Sequence, residues 1–187
     1  MRIAGEHGVA AITILLYGQF LFNSFYLGFS IGVAPIVGFQ YGARNKVLLR
    51  RVYRISFLFV IASSIFLLGA SEALSRPIIT IFTHDAETFP LALTGFRLFA
   101  FCFLFSGVNI TSSGFFTALS NGRVSAILSF CRTFVFTAAC LLVLPHFLGI
   151  NGAWIAVPAA EALTLLISLY MHQKYFVRPG KQNYFAE

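Results

Sequence analysis

Charge is what this 187-residue chain has least of. Asp, Glu, Lys and Arg make up 10% of it, against about 25% in a soluble domain. Between about Ala10 and Phe39 there is no charged side chain, and roughly 20 apolar residues suffice to cross a bilayer core. That scarcity, with 58% hydrophobic residues, excludes a soluble globule and predicts an all-α polytopic membrane protein. Cysteine is scarce as well. Cys102, Cys131 and Cys140 lie inside apolar runs without metal-ligand spacing and read as small hydrophobes. The chain lacks a phosphate-cradling loop, a nucleophile elbow and any carboxylate pair within reach on one helix. His7, His84, His146 and His172 are isolated, outside the apolar runs or at their ends. No enzyme activity, metal or cofactor is therefore expected. The first ten residues, MRIAGEHGVA, do not form a secretory signal, and no repeat of fixed period is visible.

The net charge of +7 does not indicate a nucleic-acid partner, because Lys and Arg gather between apolar runs. That distribution marks cytoplasmic loops. Five spans emerge, at about 10–39, 52–71, 91–119, 124–144 and 152–173, with a basic tail over 174–187. The loop Tyr41–Tyr53 carries Arg44, Lys46, Arg50 and Arg51 with no acid. It falls on the cytoplasmic side with the 120–123 loop and the tail, which carries Lys174, Arg178 and Lys181. The acidic connection Glu72–Pro90 and the turn at 146–151 then lie outside. Five spans put the N-terminus outside too, so a preceding span is expected and the sequence reads as part of a larger protein.

Polar residues in the first span are ordered. Gln19, Asn23, Tyr26 and Ser30 step by three or four and share one helical face, while Gly28 and Gly32 mark the opposite face for close helix packing. The amides either bond to neighbouring helices or line a water-accessible cavity. Pro35 removes a backbone donor and is expected to kink the helix. The third span has the same design, with Cys102, Ser106, Asn109 and Ser113 on one face and a ridge of Gly107, Thr111, Gly114 and Ala118 opposite. Arg97 is expected to snorkel or to pair with an acid. In the fourth span, closed by Pro145, Arg132 shares a face with Ser125 and Ser129, and snorkelling is the preferred expectation over an inward orientation. In the fifth, Glu161 is the single acid within an apolar run, with Thr164, Ser168 and His172 following on its face. Such an acid is either functional or a structural hydrogen-bonding group. His84 and Asp85 admit a metal or proton site, but a solvated loop with Asp85 capping the next helix is preferred. The chemistry left is binding and passage of a solute, with Gln19, Asn23, Asn109 and Glu161 as candidates for the cavity.

The run GVAPIVGFQYGARN (Gly32–Asn45) resembles the end of the eighth helix of multidrug and toxic compound extrusion transporters. IFTHDAE (Ile81–Glu87), SSGFFTALSNGR (Ser112–Arg123) and GINGAWIAVPAAE (Gly149–Glu161) follow in the family's order. The resemblance implies twelve helices in two six-helix lobes, of which this chain supplies helices eight to twelve, most of the C-terminal lobe. It implies export of cationic or amphipathic small molecules across the inner membrane, in exchange for Na⁺ or H⁺. The partners would be the N-terminal six-helix lobe and one further helix. Some branches carry a cation-binding carboxylate on the tenth helix; the matching segment here, Gly95–Leu119, has no Asp or Glu. The coupling carboxylate is thus expected in the N-terminal lobe. Three other readings stand beside this one: a lipid-linked oligosaccharide flippase of the same superfamily, a small substrate-binding subunit with a separate energy-coupling partner, and an inactive truncation.

Overall fold

A computed structural model describes residues 5–178 and 183–185, so Lys181 of the expected basic tail lies outside the described residues. Long helices follow directly from the composition, because backbone polar groups in an apolar medium must be satisfied within their own segment. In order they are α1 (Gly5–Gly42), α2 (Lys46–Ala73), α3 (Ser75–Phe82), α4 (Thr88–Ala100), α5 (Cys102–Ala118), α6 (Gly122–Phe130) and α7 (Thr137–His172). A π-helical stretch, Cys131–Phe136, joins α6 to α7, and another, Gln173–Val177, follows α7.

Helices α1 and α2 are each long and apolar enough to cross a membrane, and α4 and α5 pass together with a 46° bend between them. The third span is therefore two helices, broken at Phe101. The run Gly122–Val177 would extend about 84 Å at 1.5 Å per residue, far beyond a bilayer core of about 30 Å. It doubles back at Gly149, whose φ of 57° and ψ of −135° interrupt the helix. A left-handed φ favours glycine, and Gly152 beyond it packs against the Leu144 carbonyl, where a Cβ would not fit. Cys140, Ala156 and Ala160 then cluster across the two halves of α7. Helix thus continues through Pro145 and ends at Gly149, rather than at Pro145 as expected. A proline costs one backbone bond and bends a helix, whereas Gly149 reverses the chain. Helix α1 likewise runs unbroken through Pro35.

One turn is built twice. At the end of α1, Asn45 N–H donates to the Gln40 carbonyl and Arg44 N–H to the Tyr41 carbonyl, each at 3.0 Å. At the end of α5, Asn121 N–H donates to Phe116 at 2.8 Å and Ser120 N–H to Thr117 at 3.0 Å. Arg44 and Ser120 sit at left-handed φ values of 54° and 60°. The next residue, Asn45 or Asn121, then caps the following helix by accepting from the Leu48 or Val124 N–H. This compact cap explains why α2 starts at Lys46, so that Arg50 and Arg51 lie in a helix and not in the expected 41–53 loop.

Helix α5 is the hub. The Tyr26 ring sits where a Gly107 Cβ would approach it to 2.5 Å, and the Tyr26 hydroxyl lies within hydrogen-bonding distance of Ser64 Oγ and of the Phe103 carbonyl, each at 3.0 Å. Ser30 fills the place of a Gly114 side chain, and a Cβ at Gly38 would lie 3.5 Å from the Ala118 carbonyl oxygen. The small-residue ridge of the third span therefore packs as expected. Gly28 and Gly32 do not: a side chain at either would meet nothing within 4 Å. The close-packed face of α1 is its Tyr26–Ser30 face, because α5 supplies the small residues that receive those side chains.

The two ends of the bundle differ in charge. At one end, His7 contacts Asp85 at 3.2 Å and Glu87 at 3.3 Å, and Arg97 approaches Glu72 at 3.8 Å. Asp85 Oδ2 accepts from the Thr88 N–H at 2.7 Å, at the start of α4, which is the capping role expected of it. At the other end the turns around Arg44 and Asn121 meet the segment after α7, where Asn121 donates to the Tyr184 hydroxyl at 3.1 Å.

Gly107→Ala is expected to lower stability by about 1–3 kcal/mol through overpacking against Tyr26 and Ser64, read by thermal unfolding in detergent. Gly28→Ala should leave the midpoint unchanged or raise it. Bonds from Thr88 hold the exposed Asp85 carboxyl below its ordinary value. Its contribution is therefore present above the ordinary Asp pKa and lost as pH falls through the folded value. Removing it with Asp85→Asn should flatten the acid limb of the wild-type unfolding profile.

Candidate functional site

Two charges sit alone in adjacent apolar runs, Arg132 in the π-helical stretch before α7 and Glu161 in the second half of α7. Each would be costly unpaired in a low-dielectric medium. The hairpin at Gly149 brings them together: Arg132 Nη1 donates to Glu161 Oε1 at 3.1 Å. Glu161 lies about 18 Å along the helix from Gly149 at 1.5 Å per residue, near the middle of a bilayer-spanning segment. Arg132 thus turns inward, against the expectation that it snorkels, because the acid one helix away offers a charged partner at its own depth.

The opposite oxygen of the carboxylate is also engaged. Asn109 Nδ2 donates to Glu161 Oε2 at 2.8 Å and to the Glu161 carbonyl at 2.9 Å. Ser168 Oγ in turn donates to Asn109 Oδ1 at 2.9 Å. Asn109 and Glu161 are 1% and 3% exposed, and their hydrogen bonds offset the cost of burying them. Asn109 belongs to the hub helix α5, so this network ties the α7 hairpin to the rest of the bundle.

In front of Glu161 opens a cleft of about 510 Å³. Gln19 and Asn23 of α1 line it, with Arg132, Thr133, Thr137 and the apolar wall of Leu16, Phe20, Leu27 and Leu141. Three of the four candidates, Gln19, Asn23 and Glu161, therefore share one cavity. Asn109 does not line it but stands behind Glu161 as its hydrogen-bond donor. The polar face of α1 divides along its length: Gln19 and Asn23 look into the cleft, while Tyr26 and Ser30 are buried against α5. Asn23 Oδ1 is buried without a hydrogen-bond partner among the described residues. The cleft thus offers a charged pair, two amides and an apolar wall, a set suited to holding an amphipathic solute.

A second polar site was not expected. His172, taken as isolated at a span end, is buried, with Ser112 Oγ 2.7 Å from Nε2 and Tyr53 OH 3.0 Å from Nδ1. Phe57, Phe116 and Phe176 pack their rings around it. Its position on the face of Glu161, Thr164 and Ser168 was the available signal, since all four are buried. Among the described residues no group of three His, Cys, Asp or Glu side chains is placed to hold a metal ion.

An all-helical bundle with apolar outward faces and a polar cleft at mid-depth is the architecture of an integral membrane protein. A sequence profile of the MatE family matches residues 1–142, and the chain belongs to that family. No curated protein matches the sequence. The fold is similar to the Vibrio cholerae MATE transporter VcmN in its bent form, with a TM-score of 0.83 at 21% identity. It is similar also to an outward-facing multidrug resistance MATE transporter of the MOP superfamily, at 0.78 and 22%. A MOP superfamily transporter from Pyrococcus furiosus gives 0.77 at 20% identity. The aligned region covers 91 to 92% of this chain but 39% of each of those transporters, so the chain spans about two fifths of their length.

Breaking the pair from one side should be worse than removing it. Arg132→Gln is expected to cost on the order of 3 kcal/mol by leaving Glu161 buried and unpaired. Adding Glu161→Gln should recover much of that loss, giving a positive coupling in a double-mutant cycle read by thermal unfolding.

Proposed function

We propose that this chain forms most of the C-terminal lobe, helices eight to twelve, of a twelve-helix secondary active transporter. The transporter exports cationic or amphipathic compounds across the inner membrane by alternating access, in exchange for Na⁺ or H⁺. Its partners are the N-terminal six-helix lobe and one further helix, and the chain itself has no enzymatic step or cofactor. The observation that carries the reading is the mid-depth cleft in which Gln19, Asn23, Glu161 and Arg132 face an apolar wall. Clustering of the basic segments at one end of the bundle supports a cytoplasmic C-terminus.

Ion coupling belongs to the other lobe in this reading. No acid lies within α4 or α5, and both oxygens of Glu161 are engaged by the protein itself. A lipid-linked oligosaccharide flippase would call for more cations facing the cavity. Arg97 approaches Glu72 instead, which leaves Arg132 as the one guanidinium in the cleft.

The test uses the two-lobed transporter that contains this chain. Glu161→Gln is expected to change efflux of at least one cationic compound by fivefold or more while the protein remains inserted and folded. Unchanged efflux across a panel of compounds would leave Glu161 a structural acid. The isolated chain in proteoliposomes should show no efflux driven by a Na⁺ or H⁺ gradient, and gradient-driven efflux there would overturn the assignment of coupling to the other lobe.

A further inference from the structure

At the basic end of the bundle, away from the mid-depth cleft, lies a second cavity of about 600 Å³. Arg44, Asn45, Lys46, Val47 and Arg50 line it, with Phe185 as one wall. We propose that this cavity binds the phosphate of an anionic phospholipid headgroup at the membrane surface.

Three observations carry the proposal. The first is the backbone at Arg44. Its φ of 54° is a conformation in which glycine or asparagine is ordinarily found at a helix end. Placing arginine there adds its side chain to the cavity lining at a conformational cost that glycine would avoid. The twin turn carries Ser120 at the same place, so the turn itself does not require arginine.

The second is the state of the cations. Among the described residues, neither Arg44 nor Arg50 has an acidic side chain as partner. Arg50 instead lies over the ring of Phe185, 5.9 Å from its centroid. That cation–π contact holds the guanidinium in place and leaves its in-plane donors able to meet phosphate oxygens. The cavity also lies at the N-terminus of α2, whose dipole adds to the positive field.

The third is location, which separates a lipid from a soluble phosphate. Val47, which lines the cavity, is 80% exposed. An apolar side chain displayed in a cationic pocket fits a ligand with a phosphate at one end and acyl chains at the other. Basic residues just beyond a membrane helix each contribute about 1 kcal/mol toward anionic lipid.

The experiment is lipid titration of the whole chain in neutral detergent, read as the shift of its thermal unfolding midpoint. Phosphatidylglycerol should raise the midpoint and phosphatidylcholine should not. In Arg44→Asn/Arg50→Gln the half-saturating concentration of phosphatidylglycerol should rise about tenfold or more, the weight of two interfacial cations. Arg51→Gln/Arg54→Gln removes the same charge from exposed positions of α2 outside the cavity and should stay within threefold of wild type. Should the first double variant fail to fold, Arg50→Gln alone keeps the Arg44 turn and should show about a fivefold rise, the weight of one interfacial cation. Equal weakening by the two double variants would overturn the site in favour of diffuse surface charge. An undiminished response in Arg44→Asn/Arg50→Gln, or an equal response to phosphatidylcholine, would also overturn it. Glycerol phosphate and inorganic phosphate are run in parallel. A shift with either that matches phosphatidylglycerol and is lost in Arg44→Asn/Arg50→Gln would overturn the lipid as the ligand and assign the pocket to a soluble phosphate.

Discussion

The Arg132–Glu161 pair is the constraint around which this bundle is arranged. An acid or a base alone at mid-depth in an apolar span is costly, and here each has the other as its charged partner. Bringing them within hydrogen-bonding distance fixes the register of the α7 hairpin, and so fixes where the chain must turn. Gly149 and Gly152 make that turn possible, one through its backbone conformation and one by admitting the Leu144 carbonyl. Asn109 then extends the pair to α5. A single ionic contact thereby links the last two membrane passes to the hub of the molecule.

What surrounds that contact is packing between surfaces of unequal size. In an apolar medium helices gain little from hiding apolar surface, and close approach and hydrogen bonds carry more of the association. The α1–α5 seam follows this rule, with Tyr26 and Ser30 entering the positions left open by Gly107 and Gly114. Aromatic and aliphatic clusters close both ends of the bundle, around Phe96, Phe99 and Trp154 at one and Phe115, Phe116 and Phe176 at the other. Between them Asn109 and Glu161 form a buried polar contact.

The spans were legible because hydropathy is a one-dimensional property that survives folding. Their ends were less so. The turn at Asn121 falls in the expected 120–123 loop, but Asn45 begins a new helix inside the basic run that reads as a longer loop. Pro145 is a strong local signal, yet a helix tolerates one lost bond while Gly149 supplies the conformation that reverses the chain. Faces were legible and their partners were not. The spacing of Gly28 and Gly32 matches that of a packing ridge, but which of two small-residue faces is used depends on the neighbouring helix. Arg132 failed for the same reason: snorkelling is the best outcome for a lone arginine, and Glu161 is one hairpin away in space but 29 positions distant in sequence. Reading the two unpaired charges as a pair would have found the site. His172 was hidden by its place near a span end, where its buried contacts with Ser112 and Tyr53 come from two other helices.

The engagement of Glu161 bears on how a cleft of this kind recognises charge. Its two oxygens are already occupied, Oε1 by Arg132 and Oε2 by Asn109, so the pair presents little net charge to an incoming solute. The cleft's other polar side chains are the amides of Gln19 and Asn23, on α1. In the efflux reading, a cationic compound must therefore either be held by the α1 amides and the apolar wall, or displace Arg132 from the carboxylate. The second route has a mechanical consequence. A ligand that takes the place of Arg132 stabilises whichever arrangement lets that guanidinium find another partner, and a ligand shifts a conformational equilibrium only through such a difference between states. Because Arg132 sits in a π-helical stretch, a form often found at functional sites, the backbone that carries it departs from regular α-helix at the point where that exchange would occur.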